Sequence, residues 1–344
     1  MIDQLVLGDE EVLKWIKKSK TIQSIERLPG DASTRRYYRI GSGAQSFIVM
    51  RTEPFADRKG SYPFLVMQEH LARSGIDVPA VLDVDEEKGF ILLEDLGDVT
   101  FLRRLQCVET TDTERHLYEK IIDGLVHLQV HASPQGKGQE LEAFQLRFDF
   151  EKLMWEMNFT IENFYQLYLK RNIKDKELKV VVDGLSKICS LLADEPTVLT
   201  HRDLHSRNIM VLREESAPAE RFVMIDFQDA RMGPPQYDLA SLLRDSYYQL
   251  EETQIASLIS YYIIRFEAIS GRMLDRAYFT YLFDLMSVQR NFKAIGSFAS
   301  FMNKRGDPGY LKYIGNTFEN IRRVLLRYPE FSKLRETLFH HYYF

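Results

Sequence analysis

Short apolar runs alternate with turn residues over the first hundred positions, a pattern typical of β-strands. The elements predicted in this part are a helix at Glu10–Ser19, strands at Ser24–Leu28, Tyr37–Ile40 and Ser46–Met50, a helix at Pro63–Ser74, and strands at Ala80–Val84 and Gly89–Leu93. Together they indicate a small antiparallel sheet that carries one helix.

From Thr100 onward, apolar residues recur at the three- and four-residue spacing of amphipathic helices. The helices predicted there are Glu114–His131, Phe150–Lys170, Lys176–Ala193 and Gln254–Ser270. The exception is Val198–Asp226, where short apolar strands bracket polar residues. The sequence therefore predicts an α+β protein, with a β-rich domain at residues 1–96 and a mostly helical domain at residues 97–344.

The most specific motif lies inside this exception. The order His201-Arg202-Asp203-Leu204 followed by Asn208 matches the H-R-D-L-x-x-x-N catalytic loop of kinases residue for residue. In that chemistry a carboxylate, here Asp203, orients the attacking hydroxyl, and an amide oxygen, here of Asn208, holds a metal ion. The spacing therefore indicates phosphoryl transfer.

A second metal-binding position follows the loop. The apolar run Met224-Ile225 ends in Asp226, where kinases carry the aspartate of the D-F-G motif. Here the segment reads Asp226-Phe227-Gln228, so the glycine is missing. The alternative is that these polar residues share a loop region by chance, and their order along the chain argues against it.

Two further features separate the chain from protein kinases. His205 stands where protein kinases usually have a lysine, and Gly233-Pro-Pro-Gln-Tyr-Asp-Leu-Ala240 stands in place of an A-P-E segment. Both resemble the aminoglycoside phosphotransferase and choline kinase family, whose loop reads H-x-D-x-H-x-x-N and is followed by G-x-x-x-x-D-L-A. The resemblance implies a protein-kinase-like fold with two lobes, and ATP and Mg²⁺ bound between them.

The resemblance also assigns roles to individual residues. It implies that Asp203 is catalytic and that Asn208 and Asp226 hold the metal ion. It further implies that His201 and Asp238 are structural, with Asp238 bracing the catalytic loop.

Five stretches sharpen the resemblance toward one subgroup. They are Gly30–Arg39, Leu92–Asp98, Ile225–Ala230, Tyr237–Asp245 and Gln289–Gly296. In the same order, they are similar to segments of the bacterial anomeric sugar kinases that phosphorylate N-acetylmuramate and N-acetylglucosamine in peptidoglycan recycling. The resemblance therefore implies a small amino sugar as the substrate.

The nucleotide side of the predicted site departs from the kinase pattern. The turn Gly30–Arg36 stands in the place of the glycine-rich loop but has only one glycine. Polar and basic side chains of this turn are candidates for phosphate contacts, although the turn also fits an exposed hairpin. These candidates are Ser33, Thr34, Arg35 and Arg36.

The lysine of the third strand is also missing. Met50 occupies its position, and Leu65 falls about where its glutamate partner would be. Arg51 and Arg39 are candidates to supply the charge, and Arg51 fits a solvated strand edge equally well. The segment Leu92–Gly97 is predicted to be the hinge that reads adenine, with Glu94 and Leu96 as nucleotide-binding candidates.

Four residues are candidates for contacting the acceptor: His205, Gln228, Asp229 and Arg290. Arg290 fits an ion pair within the helical domain equally well. An aromatic group is more typical of a core than of a sugar-stacking surface. It consists of Trp155, Phe159, Phe164, Tyr165 and Tyr168.

Composition narrows the classes of function and of partner that remain open. The chain has 344 residues, 45 Lys and Arg against 50 Asp and Glu, and a net charge of −5, which argues against a nucleic-acid partner. Its two cysteines form no CxxC pair, and no apolar run approaches the length of a membrane span. The start of the sequence lacks the apolar core of a signal peptide. We therefore expect a cytoplasmic monomer with no membrane partner.

Two other functions remain open from the sequence. One is a different small-molecule kinase of the same family, acting on an aminoglycoside, choline or a related alcohol. The other is a nucleotide-binding pseudokinase or regulatory scaffold, which the missing strand lysine favours and the set of Asp203, Asn208 and Asp226 disfavours.

Overall fold

The computed structural model describes residues 9–17, 21–29, 35–58, 60–136, 141–213 and 220–343, and these residues form two compact units. The first unit comprises the described parts of Met1–Arg73, Asp77–Val99 and Met210–Gln228. The second comprises the described parts of Ser74–Ile76, Thr100–Ile209 and Asp229–Phe344. The segment Met210–Gln228 lies beyond residue 96 in sequence but groups with the first unit.

The strands follow the alternating pattern of the sequence. They are β1 (Ser24–Arg27), β2 (Arg36–Ser42), β3 (Gln45–Arg51), β4 (Val81–Asp85), β5 (Phe90–Glu94), β6 (Val198–Thr200), β7 (Ile209–Arg213), β8 (Glu220–Met224) and β9 (Arg231–Gly233). The first five form an antiparallel sheet in the order β1-β2-β3-β5-β4, which confirms the predicted sheet. The pairs β7-β8 and β6-β9 are separate two-stranded ladders.

Helix α1 (Asp9–Ile16) covers one face of this sheet. Its Val12, Trp15 and Ile16, spaced for one helix face, join a buried cluster with Tyr38 and Ile40 of β2. Strand alternation turns Tyr37 and Arg39 to the other face. Between β2 and β3 the chain reverses at Gly43, whose φ of 64° favours glycine.

The second unit is mostly helical. The remaining helices of the chain are α2 (Pro63–Arg73, first unit), α3 (Phe101–Leu105), α4 (Thr111–His131), α5 (Glu142–Gln145), α6 (Phe150–Thr160), α7 (Asp175–Ala193), α8 (Gln236–Leu243), α9 (Glu252–Ser270), α10 (Arg276–Arg305), α11 (Ile314–Leu326) and α12 (Ser332–Tyr343). Among the described helices, none is both long enough and apolar enough to cross a membrane.

Helix α10 forms the centre of the second unit. Its first turn is capped by Asp275, which accepts hydrogen bonds from the backbone N–H groups of Ala277 and Tyr278, and its end is closed by Gly306 at φ 66°. It packs against α6, α7, α8, α9 and α11. Consequently, residues near its middle, including Arg290, are buried.

One predicted helix differs in detail. We expect a continuous helix over Phe150–Lys170, but the α-helix ends at Thr160 and a π-helical segment continues over Ile161–Tyr168. The wider turn is visible where the N–H of Leu169 donates to the carbonyl of Phe164, five residues back. The prediction used one α-helical period over the whole stretch, so it does not include such a change.

Candidate active site

The loop at residues 201–208 joins β6 to β7, and a buried carboxylate fixes the start of this loop. Asp238 of α8 is fully buried, and its two oxygens accept the backbone N–H groups of His201 at 2.6 Å and Arg202 at 3.0 Å. Arg202 has a φ of 82°, a conformation that a non-glycine residue adopts at a cost. Burial raises the pKa of Asp238 to about 7, against the opposing effect of the two N–H donors.

A second buried carboxylate holds the far end of the loop. Asp245 accepts the backbone N–H of Ser206 at 2.9 Å and that of Tyr247 at 2.9 Å. Burial raises the pKa of Asp245 to about 6. Both ends of the loop are therefore fixed by carboxylates from the segment that follows β9, which gives Asp203 a defined position.

Asp203 lies among positive charges. One of its oxygens, Oδ1, accepts a hydrogen bond from Lys293 at 3.1 Å and from Arg290 at 3.4 Å, and the carboxylate remains 26% exposed. Burial acts to raise the pKa of Asp203, but the charges of Lys293, Arg290 and Arg202 outweigh it and hold the pKa well below its ordinary value. Asp203 is therefore ionised and partly accessible.

His205 and Asn208 complete the loop. The side-chain nitrogen of Asn208 donates to the backbone oxygen of Asp203 at 3.0 Å, so its amide oxygen is the atom left to bind a cation. Burial lowers the pKa of His205 to about 3, so its imidazole is neutral at ordinary pH. Its ring contacts Tyr247 edge-on at 5.1 Å, which indicates a packing role beside any contact with an acceptor.

Arg290 is buried on α10 and serves two partners. Besides Asp203, it donates to the hydroxyl of Tyr237 at 2.8 Å, with its guanidinium 4.6 Å from the centre of that ring. Asp229 pairs with Arg202 at 2.8 Å, and Arg202 also lies 4.0 Å from the carboxylate of Asp203. Asp203 therefore contacts Arg290 directly and is linked to Asp229 through Arg202.

Sequence reasoning missed Lys293. It belongs to the Gln289–Gly296 stretch, and it lies three residues after Arg290, so both side chains share one face of α10. That spacing was available as a signal. The pairing of Lys293 with Asp203 depends on how α10 packs, which the sequence does not state.

The first unit contains the other metal candidate. Asp226 is exposed and has a φ of 68°, and its Oδ1 accepts a hydrogen bond from the side chain of Gln228 at 2.8 Å. The adjacent Phe227 is fully buried and stacks on Phe64 at 5.2 Å. The packing of Phe227 therefore anchors the backbone next to Asp226. The carboxylate of Asp226 stays exposed and accepts a hydrogen bond from Gln228.

The nucleotide-binding candidates have different surroundings. Ser33 and Thr34 lie outside the described residues, and Arg36 is exposed at the start of β2. Arg51 forms an ion pair with Glu11 at 3.2 Å, and Arg39 pairs with Asp95 at 2.8 Å and with Asp98.

The predicted hinge residues are part of the first unit. Glu94 accepts a hydrogen bond from Arg221 at 2.8 Å and another from the backbone N–H of Ala80 at 3.2 Å. Arg221 also binds Asp77 at 3.0 Å. Leu96 is buried. The side chain of Glu94 is therefore engaged in structural contacts, and its backbone N–H donates to the carbonyl of Ala80 at 2.9 Å.

Arg35 is placed differently from the other arginines. It bonds to the hydroxyls of Tyr37 and Tyr62, and Tyr37 pairs in register with Met50. Burial raises the pKa of Tyr37, and the nearby negative charge of Asp226 raises it further. Arg35 therefore lies beside the strand position that lacks lysine, and its partner Tyr37 lies near Asp226.

The oxygen donors present suit magnesium. Mg²⁺ prefers carboxylate and carbonyl oxygens and usually depends on substrate phosphates for the rest of its shell. The amide oxygen of Asn208 and the exposed carboxylate of Asp226 are such donors. Within the described ranges, no group of three or more His, Cys, Asp or Glu side chains forms a ready metal cage. Each of these two residues, taken by itself, therefore offers an oxygen of the kind that Mg²⁺ binds.

The aromatic group of the second unit is split between core and surface. Phe164 and Tyr165 are buried, as expected for a core. Trp155 is 56% exposed, and the ammonium of Lys152 lies 4.0 Å from the centre of its ring. The prediction of a core is therefore wrong for Trp155, because it faces outward from α6.

The chain is similar to known phosphotransferases over most of its length. Residues 24–274 match the family described as phosphotransferase enzyme family. A kinase of Neisseria meningitidis serogroup B named N-acetylmuramate/N-acetylglucosamine kinase is 32% identical over 306 residues, covering 88% of this chain and 86% of that protein. The Pseudomonas aeruginosa protein of the same name is 31% identical over 314 residues, covering 90% and 86%.

Solved structures show the same fold. An aminoglycoside phosphotransferase described as ADP-bound aligns with a TM-score of 0.61 at 16% identity, covering 96% of this chain and 99% of that chain. A choline kinase from Streptococcus pneumoniae aligns with a TM-score of 0.62 at 15% identity, covering 94% and 100%. The expected kinase-like fold is confirmed.

Proposed function

Because the chain belongs to the phosphotransferase enzyme family, we propose that it transfers the γ-phosphoryl group of ATP to the anomeric hydroxyl of N-acetylmuramate and N-acetylglucosamine. The observation that carries the proposal is the similarity, over about nine tenths of the chain, to two kinases named for these sugars. We place the reaction in the cytoplasm, as part of the reuse of cell-wall sugars.

Asp203 is the residue we assign to the acceptor hydroxyl. Its low pKa makes it a weak base, so its role is to orient the hydroxyl and accept its proton late. The loose transition state of phosphoryl transfer needs little deprotonation beforehand. An anomeric hydroxyl is more acidic than an ordinary alcohol, and it is therefore the acceptor that suits such a base.

Asn208 and Asp226 are the residues we assign to Mg²⁺ from their places in the motif. The amide oxygen of Asn208 and the exposed carboxylate of Asp226 support the assignment, because both are oxygen ligands that Mg²⁺ prefers. The ion would neutralise charge on the nucleotide phosphates. Gln228 donates to one oxygen of Asp226 and so fixes the orientation of that carboxylate.

Arg35 is the residue we assign to the charge that the strand lysine supplies in other kinases. It lies beside Met50, which holds the lysine position, and its partner Tyr37 lies near Asp226. Arg51 and Arg39 fit this role less well, because each is already paired with a carboxylate.

The proposal is tested by measuring ATP consumption with purified protein and Mg²⁺ over a panel of acceptors. The panel contains N-acetylmuramate, N-acetylglucosamine, choline and an aminoglycoside. We expect turnover with the two amino sugars alone. Turnover with choline or the aminoglycoside alone would indicate the other small-molecule kinases, and ATP binding without turnover would indicate a pseudokinase.

A further inference from the structure

The acceptor side of the second unit contains more positive charge than its carboxylates neutralise. Four elements contribute to this cationic cluster, which consists of Lys152 of α6, Arg202 of the catalytic loop, Arg231 of β9, and Arg290 and Lys293 of α10. The carboxylates among them are Glu156, Asp203 and Asp229. Five cations therefore face three anions.

The three carboxylates are already engaged. Asp203 binds Lys293 and Arg290, and Asp229 binds Arg202 at 2.8 Å. Glu156 is 1% exposed and lies 3.8 Å from Lys152, while its other oxygen accepts a hydrogen bond from Gln289 at 2.8 Å. These contacts leave Arg231 as the cation of the cluster without an ion pair among the described residues.

Arg231 has no carboxylate partner among the residues that the structure describes. Its Nε is buried without a hydrogen-bond acceptor among them, and its guanidinium lies 5.2 Å from the centre of the Phe148 ring. A buried donor without a partner is unfavourable, because it has lost its hydrogen bonds to water and gained none in the protein. Such a group is tolerated where a ligand supplies the missing acceptor.

The cations also act on one another. Burial lowers the pKa of Lys152, and the charges of Arg202, Arg231 and Lys293 lower it further. Lys152, Arg202 and Lys293 keep 24%, 20% and 16% of their side chains exposed. An anion that entered here would relieve this repulsion and meet several donors at once.

We propose that the cationic cluster is a subsite for a carboxylate carried by the acceptor, with Arg231 as its main contact. The inference rests on the proposed function and extends it. The two sugars named above differ in one respect, because N-acetylmuramate carries a lactyl ether carboxylate and N-acetylglucosamine is neutral. The acidic sugar is therefore the preferred acceptor, and the cluster determines that preference.

The charge also distinguishes this chain from proteins that bind cationic acceptors. A cationic aminoglycoside or choline requires carboxylates that are free to pair with it. The three carboxylates of the cluster, Glu156, Asp203 and Asp229, are each engaged by arginine or lysine. Like charge at this position therefore disfavours a cationic acceptor.

The test is the ratio of kcat/KM for N-acetylmuramate to kcat/KM for N-acetylglucosamine in wild-type protein and in Arg231→Met. We expect the ratio to fall about tenfold or more, the loss typical of one charge-assisted contact. Lys152→Met, at a more exposed position, should lower the same ratio less. The matched control is Arg265→Met, because Arg265 of α9 pairs with Asp123 away from the cluster, and its ratio should equal the wild-type ratio.

A second experiment changes the substrate instead of the protein, so its result does not depend on whether the variants fold. Wild-type protein is assayed with N-acetylmuramate and with its neutral lactyl amide, and the amide should behave like N-acetylglucosamine. Equal kcat/KM for the acid and the amide, or an equal loss for both sugars in Arg231→Met, would overturn the subsite while leaving the proposed function intact. Failure of wild-type protein to phosphorylate either sugar would overturn both.

Discussion

Arg35, which directly precedes β2, and Arg51, which ends β3, have surroundings that predict different effects on nucleotide use. Arg35 contacts two tyrosines beside the position that lacks lysine, whereas Arg51 is paired with Glu11. Arg35→Ala should lower kcat/KM for ATP by about tenfold to a hundredfold, because a phosphate contact is lost. Arg51→Ala should lower it less.

The measurement is kcat/KM for ATP at saturating amino sugar. Arg58→Ala serves as the control, since Arg58 is an exposed arginine of the same unit and should leave the constant unchanged. A larger loss in Arg51→Ala than in Arg35→Ala would reverse the assignment.

Single residues show which parts of the site the sequence can predict. The order of Asp203, Asn208 and Asp226 could be read from spacing, because the catalytic chemistry fixes residue types at fixed intervals. Lys293 and Arg231 could not be assigned in this way. Their importance arises from the charges that tertiary packing places beside them, and these charges come from elements far apart in sequence.

At the scale of elements, the contact between α6 and α10 positions most of the cationic cluster. Thr160 of α6 donates a hydrogen bond to the carbonyl of Phe292 of α10 at 3.0 Å. Gly296 lies opposite, where an added Cβ would come within 2.8 Å of the Thr160 Cα. The glycine therefore allows two helix backbones to approach closely, and a larger residue would separate them.

Gly296→Ala should lower the free energy of unfolding by about 2 kcal/mol, the usual cost of overpacking a close contact. The measurement is chemical denaturation followed by circular dichroism. Gly315→Ala is the matched control, because Gly315 also lies in a helix and its added Cβ would be 3.8 Å from the nearest atom outside its neighbours. Ala is a better helix former, so this variant should be equally or more stable than wild type. Equal stability of both variants would contradict the close approach.

The prediction of elements from the sequence was accurate where one period dominates. The predicted helix at Lys176–Ala193 corresponds to Asp175–Ala193, and the predicted strand at Ser46–Met50 lies within Gln45–Arg51. The π-helical segment at Ile161–Tyr168 was missed, because π-helical turns are rare and the whole stretch Phe150–Lys170 was assigned to one α-helical period.

At the scale of the whole molecule, net charge is a poor guide to the chemistry of the site. The chain carries a net charge of −5, yet the surroundings of Asp203 are positive. The overall value argues against a nucleic-acid partner but does not indicate which acceptor is bound. The kinase-like fold could be predicted because its motifs are spread over much of the chain, and each motif fixes one part of the architecture.

The most direct test of the account is the structure of the product. Wild-type protein is incubated with ATP, Mg²⁺ and N-acetylmuramate, and the product is analysed by phosphorus NMR, with Asp203→Ala as the comparison and its ATP binding measured by calorimetry. The account predicts a phosphorus signal coupled to the anomeric proton for wild type, and no product from Asp203→Ala although that variant still binds ATP. Phosphorus on another hydroxyl, or undiminished product from Asp203→Ala, would contradict it.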